Sequence, residues 1–339
     1  MMLGRTPFDP AYVLEHTIIP MTELDDNEII YRIYSLPDLI NTLYSNTIRL
    51  SQAARMNDRN ELFGIYFDLM RSEFGPTTVE QIPKTQREFR KAQTHHYMTC
   101  WTQTHDNIAV WSLYSPNKDA IQVSTTYGRL KNSIIKYYED NSIFLSYNLE
   151  PNDPRDLFFI PEIGSVEYVD FVREYEILYS QYEKYFEEKD FFFKEHRVER
   201  EKNSIDFEHI SEDVTAWRNI SKGIRKRIFG KSKDTGALLK DKRYEHEKEV
   251  RFVLSLYRRD ACTKAEYEAD PMAGLDDPAR HPPPDECPHN IFVPFVNDGF
   301  LSFETDGRIE DWKFEAISHV LSSFGLTVEK NAVFEQIEI

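Results

Sequence analysis

Three glutamates, Glu245, Glu247 and Glu249, alternate with His246 and Lys248 just ahead of the apolar run Val250 to Tyr257. If a strand starts this early, its period of two places all three acids on one face. Clustered carboxylates raise one another's pKa, a cost that a cation, a metal or a substrate relieves. Arg251 is placed to neutralise the same face; the plainer alternative is an exposed strand entry paired with the lysines before it. A second group, Tyr31, Arg32, Tyr34 and Ser35, sits at the C-terminal end of an aromatic strand pattern. There an arginine can grip a phosphate or ribose, or serve as an edge residue paired to an acid. Trp101, Trp111 and Tyr114 form the third group. Large aromatics usually fill cores, but Trp111-Ser112-Leu113-Tyr114 follows the polar His105-Asp106-Asn107 turn, so one ring can face a pocket.

The elements that must position these residues are read from periodicity and punctuation. Glu28 to Ser35 is a strand, and Ser35 with Asp38 three residues on and Pro37 between them is a helix start. Leu36, Leu39, Ile40 and Leu43 follow at helical spacing, and Thr47 to Gln52 is a second strand. Met56 to Glu61 is a turn launching a helix to about Arg71, and a polar helix covers Thr85 to Gln93. Ala120 to Tyr127 alternates as a strand and Tyr127 to Asp140 reads as a helix, while Asn107 to Ser115 is ambiguous. Residues 143–149, 164–171 and 249–257 are strand patterns. Residues 290–296 and 300–305 suggest a hairpin across Asn297-Asp298-Gly299, and 311–325 a helix closed by Gly325. The last eight residues read as a strand. Strands interspersed with helices predict one α+β domain over 1–339, a mixed central sheet with flanking helices. Residues 173–235 form a charged helical insertion, its 173–202 stretch a long amphipathic helix suited to a protein partner. The proline-rich 259–290 segment is a surface loop.

Composition narrows the classes. The 339 residues carry 41 basic and 58 acidic side chains, a formal net charge of −17, with 40% hydrophobic and 14% aromatic content. That supports a sizeable core and excludes global disorder. No run approaches a membrane span, and the start lacks the apolar core of a signal peptide, so a cytoplasmic protein with no membrane contact is expected. Cys100, Cys262 and Cys287 make no disulfide framework. Metal spacing is poor: Cys287 and His289 with His281 and Cys262 depart from zinc patterns, and His95, His96 and Cys100 read as strand punctuation, so no metal is assigned. The charge argues against non-specific coating of nucleic acid. A local exception is Lys222 to Arg243, where nine Lys/Arg face two Asp, most simply a solvated face or linker but also a possible guide for nucleic acid. Phosphate-loop, dinucleotide and nucleophile-elbow signatures do not occur.

Three stretches in order, residues 29–66, 96–126 and 240–257, resemble a widespread bacterial family catalogued as a domain of unknown function. Its pattern is a Tyr-Arg/Lys-Tyr strand, a Leu-Arg-Leu-Ser strand, an Asn-Asp-Pro-Phe-Glu turn, a Trp-Ser-x-Tyr segment and a late Glu-x-Glu-x-Arg strand. This chain departs at Arg59, Val110 and Pro116 to Ala120. The ordered pattern in turn resembles the ADP-ribosyltransferase superfamily, which implies an ADP-ribosyltransferase-like fold binding NAD as substrate. The resemblance implies a basic first-strand residue at Arg32, with Tyr31 and Ser35 beside it, an aromatic or hydroxyl residue at Tyr114 with Trp111 nearby, and a late-strand catalytic Glu249. Glu247 would then orient or deprotonate the acceptor, which would be nucleic acid or protein. The implied activity is that of an NAD-consuming transferase or NAD hydrolase, a bacterial toxin or antiviral effector.

Two other classes compete. One is a non-catalytic nucleotide or nucleic-acid sensor, or interaction module of a defence system, docking a partner through 173–202. The other is metal-dependent phosphodiester cleavage by the three glutamates together with Asp residues. Convergence of Arg32, Tyr114 and Glu249 on one pocket is the observation that separates these readings.

Overall fold

The computed structural model describes residues 24–56, 61–70, 82–141, 157–174, 176, 177, 180, 184, 236–258, 285 and 287–337. The lead-in to residue 23, the 143–149 strand, most of the 173–202 helix, residues 222–235 of the basic run and most of the 259–290 loop lie outside the described residues. The chain divides into two compact units, 1–59 with 93–166 and 244–339, and 60–92 with 167–243. The expected insertion at 173–235 is thus part of a larger second unit that also takes in 60–92.

In the first unit, β1 (Ile29–Tyr34) runs into α1 (Leu36–Ser45) through Ser35, whose hydroxyl accepts the Asp38 amide at 3.3 Å. Leu39 and Leu43 face the core, and Asn46 turns the chain in the left-handed region, φ 50°, into β2 (Thr47–Gln52). α3 (Ile82–His95) belongs to the second unit up to residue 92, and the first unit resumes with its last turn, followed by β3 (His96–Thr102), α4 (Ile108–Tyr114), β4 (Ile121–Thr126) and α5 (Tyr127–Asn141). β5 (Leu157–Ser165), β8 (Glu249–Arg258), β9 (Asn290–Pro294), β10 (Ser302–Thr305), α6 (Asp311–Ser322) and β11 (Glu329–Lys330) complete the unit.

These strands make one nine-stranded sheet in the order β11-β10-β4-β1-β3-β2-β9, with β8 on the other edge of β3 and β5 outside β8. All pairings are antiparallel except β10 with β11. The sheet forks at β3: one edge carries β8 from His96 to Thr102, while the other carries β2 at Tyr97 and Met98 and β1 at Thr102. One face builds the apolar core from Ile30, Ile48, Leu50, Trp101, Val123, Val250 and Phe252, closed by Leu39 and Leu43 of α1, Leu130 and Ile134 of α5, and Ile317 and Leu321 of α6.

Two expectations fail here. Residues 290–305 are not a hairpin: β9 pairs with β2 and β10 with β4, and a 3₁₀ turn over Asn297–Gly299 redirects the chain, the Asn297 amide donating to the Leu43 carbonyl at 3.0 Å. The chain end is a 3₁₀ turn over Ala332–Ile337 rather than a strand. The ambiguous 107–115 segment is helix α4, capped by Asn107.

In the second unit, α2 (Phe63–Met70) lies against the 236–239 turn, and β6 (Glu167–Val169) pairs in parallel with β7 (Leu239–Asp241). Lys240, expected on a solvated face, is buried 3.6 Å from the buried Glu61. The unit holds 22 basic and 22 acidic residues, so the first unit carries the whole of the −17.

Candidate active site

Directly opposed residues of antiparallel strands share a face. The register therefore puts Glu249, Thr102, Tyr31, Ser124 and Ser302 in one row across five strands, on the face opposite the apolar core. Arg251, Gln122 and Glu304 lie on the same face, one pleat repeat away. This face is polar yet largely buried: Glu249, Arg251, Thr102, Gln122 and Ser124 are all buried. Buried polar groups are tolerated only when paired. Arg251 meets that need at one end, its Nε and Nη2 donating to the Glu249 carboxylate at 2.7 and 3.4 Å.

At the other end stands His105. Its Nε2 lies 2.8 Å from Glu304 and its Nδ1 2.8 Å from Asp106, while its ring centroid is 4.9 Å from that of Tyr31. Asn331 donates to the second Glu304 oxygen at 2.6 Å, and Gln122 donates to the His105 carbonyl at 3.2 Å. Burial draws the His105 pKa down, but hydrogen bonding and charge from Glu304, then Asp106, carry it above its ordinary value. Tyr31 is raised by burial, then by the charges of Glu304, Asp106 and Glu28.

The sequence-predicted residues are distributed differently from expectation. Tyr31 and Glu249 do share the polar face, and Arg251 does neutralise Glu249. Arg32 does not join them. It pairs with Val123 on β4 and projects with Ile30 and Tyr34 from the core side, its guanidinium 4.8 Å from the Tyr34 ring and its Nη1 buried without a hydrogen-bond partner among the described residues. Apolar residues two positions either side of Arg32 carry that signal in the sequence. Ser35 is a helix cap. Trp111 is fully buried, whereas Tyr114 at the end of α4 is 52% exposed. Nor do the three glutamates share a strand face. Residues Lys242–Glu247 form a 3₁₀ turn and Lys248 takes φ 44°, so the strand begins only at Glu249; Glu245 is exposed and Glu247 buried. The turn is pinned by the Thr102 hydroxyl donating to the Glu247 carbonyl and the Gln103 amide to that of Lys248.

The separation of Arg32 from Glu249 removes the single NAD cradle of Arg32, Tyr114 and Glu249. What remains together is Glu249, Thr102 and Tyr31, extended by His105 and Glu304, which are 199 residues apart and have no local spacing to announce them. Among the described residues, no helix is long and apolar enough to cross a membrane. Comparison with family models, curated proteins and solved structures gives no match.

Proposed function

We propose that the chain consumes NAD, as an ADP-ribosyltransferase or NAD hydrolase, from the polar face of the sheet, in the setting of a bacterial toxin or antiviral effector. The observation that carries this reading is the row Glu249-Thr102-Tyr31 on three adjacent strands, with Glu249 held by the buried Arg251. Cleavage of the nicotinamide–ribose bond sends its electron pair out with nicotinamide and develops an oxocarbenium-like cation on the ribose. A fixed carboxylate in a water-poor site stabilises that charge more in the transition state than in the ground state. Glu249 takes this role, and the Tyr31–His105 ring pair borders the ligand. Arg32, Trp111 and Ser35 are not assigned to the ligand, and Glu247, on its turn, is not assigned the acceptor's proton. An acceptor hydroxyl or water closes the reaction by bonding the ribose carbon and losing its proton.

The test is incubation of the purified full-length chain with NAD, measuring nicotinamide release and transfer of label to DNA, RNA and protein. Glu249→Gln is expected to lower turnover about a hundredfold or more. Absence of both products from the parent, or equal rates in Glu249→Gln, would overturn the reading. The burial of Glu249 favours a second one, a non-catalytic nucleotide-recognition module in which the Glu249–Arg251 pair is structural. That reading predicts nucleotide binding without turnover, unchanged in folded Glu249→Gln.

A further inference from the structure

The second unit contains an open groove of about 600 Å³ that has no part in the reading above. Its lining includes Phe63 and Tyr66 of α2 and Gln86, Arg87, Phe89 and Arg90 of α3. The rings form a continuous ladder: Phe63 to Tyr66 at 5.2 Å and Tyr66 to Phe89 at 5.1 Å, in tilted arrangements. Phe89 is buried and forms the floor, whereas Phe63 and Tyr66 are half-buried. Gln86, Arg87 and Arg90 recur at helical spacing and are exposed, so one face of α3 presents two guanidiniums and an amide to the groove. Arg90 lies 5.6 Å from the Phe89 ring. Among the described residues, no carboxylate lines the groove, although acids outnumber bases by 17 in the chain as a whole.

We propose that this groove binds single-stranded nucleic acid, with bases stacked on Tyr66 and Phe63 and phosphates held by Arg87 and Arg90. Aromatic faces accept any base, and arginines beside them track the backbone, the combination that sequence-tolerant single-strand binding requires. An acidic peptide would use the arginines and leave the rings without a role. The charge distribution agrees: the excess of acid belongs wholly to the first unit and the second is neutral, so a polyanion meets a basic helix face without a net repulsive field from its own unit.

The experiment is fluorescence anisotropy of the full-length chain with a labelled oligothymidylate of about 12 nucleotides, without NAD, so the outcome is independent of the NAD reading. Expected is binding that weakens with salt. Arg87→Ala should flatten the slope of log affinity against log salt by about 0.7, the value for one phosphate that is no longer neutralised. Tyr66→Ala should weaken binding about 5- to 150-fold, a difference that vanishes on an abasic strand of equal length. Since Tyr66 packs on Phe89, its variant is checked by circular dichroism, and the exposed Arg87 provides an independent arm. Four outcomes overturn the proposal: no binding at about 50 mM salt, equal binding of a duplex, affinity and salt slope unchanged in Arg87→Ala, or competition by thymidine monophosphate as effective as that of the strand.

Discussion

Removal of Arg251 is the sharpest perturbation of the first unit. Its side chain is 0% exposed and that of Glu249 4%, so water screens neither charge. Two unit charges about 4 Å apart interact by about 4 kcal/mol at an effective dielectric of 20. Breaking a buried pair by deleting one partner costs about 3–5 kcal/mol, because the survivor stays buried and loses that compensation. Arg251→Met is therefore expected to lower the melting temperature of the first unit by about 6–20 °C, at 2–4 °C per kcal/mol. Glu249→Gln keeps a carbonyl oxygen for the Arg251 Nε and belongs at the lower end of that range. The double variant Glu249→Leu with Arg251→Met removes both charges and should lose less than the two single variants together, since the interaction they share is then counted once. Thermal denaturation followed by circular dichroism gives the three values. Arg251→Met within about 2 °C of the parent, or a double variant as unstable as the sum of the singles, would refute the argument.

The His105 clamp makes stability depend on pH. Its folded pKa lies above the unfolded value of about 6.5, so its contribution is complete below that pH and is lost as pH rises through the folded value. The melting-temperature gap between parent and His105→Gln should thus be widest near pH 6 and narrow in mildly alkaline buffer; a gap that does not change with pH refutes the clamp. Ser35→Ala should cost about 1 kcal/mol in urea denaturation and leave NAD turnover unchanged; lost turnover at unchanged stability would return Ser35 to the ligand. Gly64→Ala would set a methyl group against the Gly236 carbonyl and 2.9 Å from the Leu239 Cβ. It should destabilise the second unit by about 1–3 kcal/mol and speed hydrogen exchange there, while unchanged exchange would show that the 236 turn is free to move.

Where local signals suffice, sequence and structure agree. Ser35, Pro37 and Asp38 announce α1, and Leu39 and Leu43 at helical spacing are the residues it buries. Turn chemistry at Asn297-Asp298-Gly299 reports only that the chain changes direction. Which strands pair depends on β2 and β4, more than 170 residues earlier, where sequence offers no register. The alternation of Glu245, Glu247 and Glu249 misleads for a different reason. A lysine in the left-handed region is uncommon, so nothing in the residue types foretells that Lys248 ends one element and begins another. Glu304 of β10 meets His105, which follows β3, through the β10–β4–β1–β3 pairing, a product of the assembled sheet.

Charge places a final demand on the NAD reading. The first unit carries the whole of the −17, so the pyrophosphate of NAD must be captured by a local cation. Near Glu249, Arg251 is engaged by the carboxylate, and Arg32 projects from the opposite face. Among the described residues, Lys248 offers one: it is exposed, adjoins Glu249 and takes the left-handed conformation just before β8. Lys248→Ala should therefore raise KM for NAD about 5- to 10-fold, equivalent to about 1–1.4 kcal/mol for a charged contact at an exposed position, with kcat nearly unchanged. The difference should shrink at high salt. Lys248→Gly separates charge from conformation, because glycine adopts the positive φ freely yet lacks the ammonium. If Lys248→Ala lowers kcat while Lys248→Gly restores it, the lysine serves the turn and not the ligand. If KM stays within about twofold of the parent in both variants, the pyrophosphate does not lie over this end of the sheet, and the placement of NAD on the polar face fails with it.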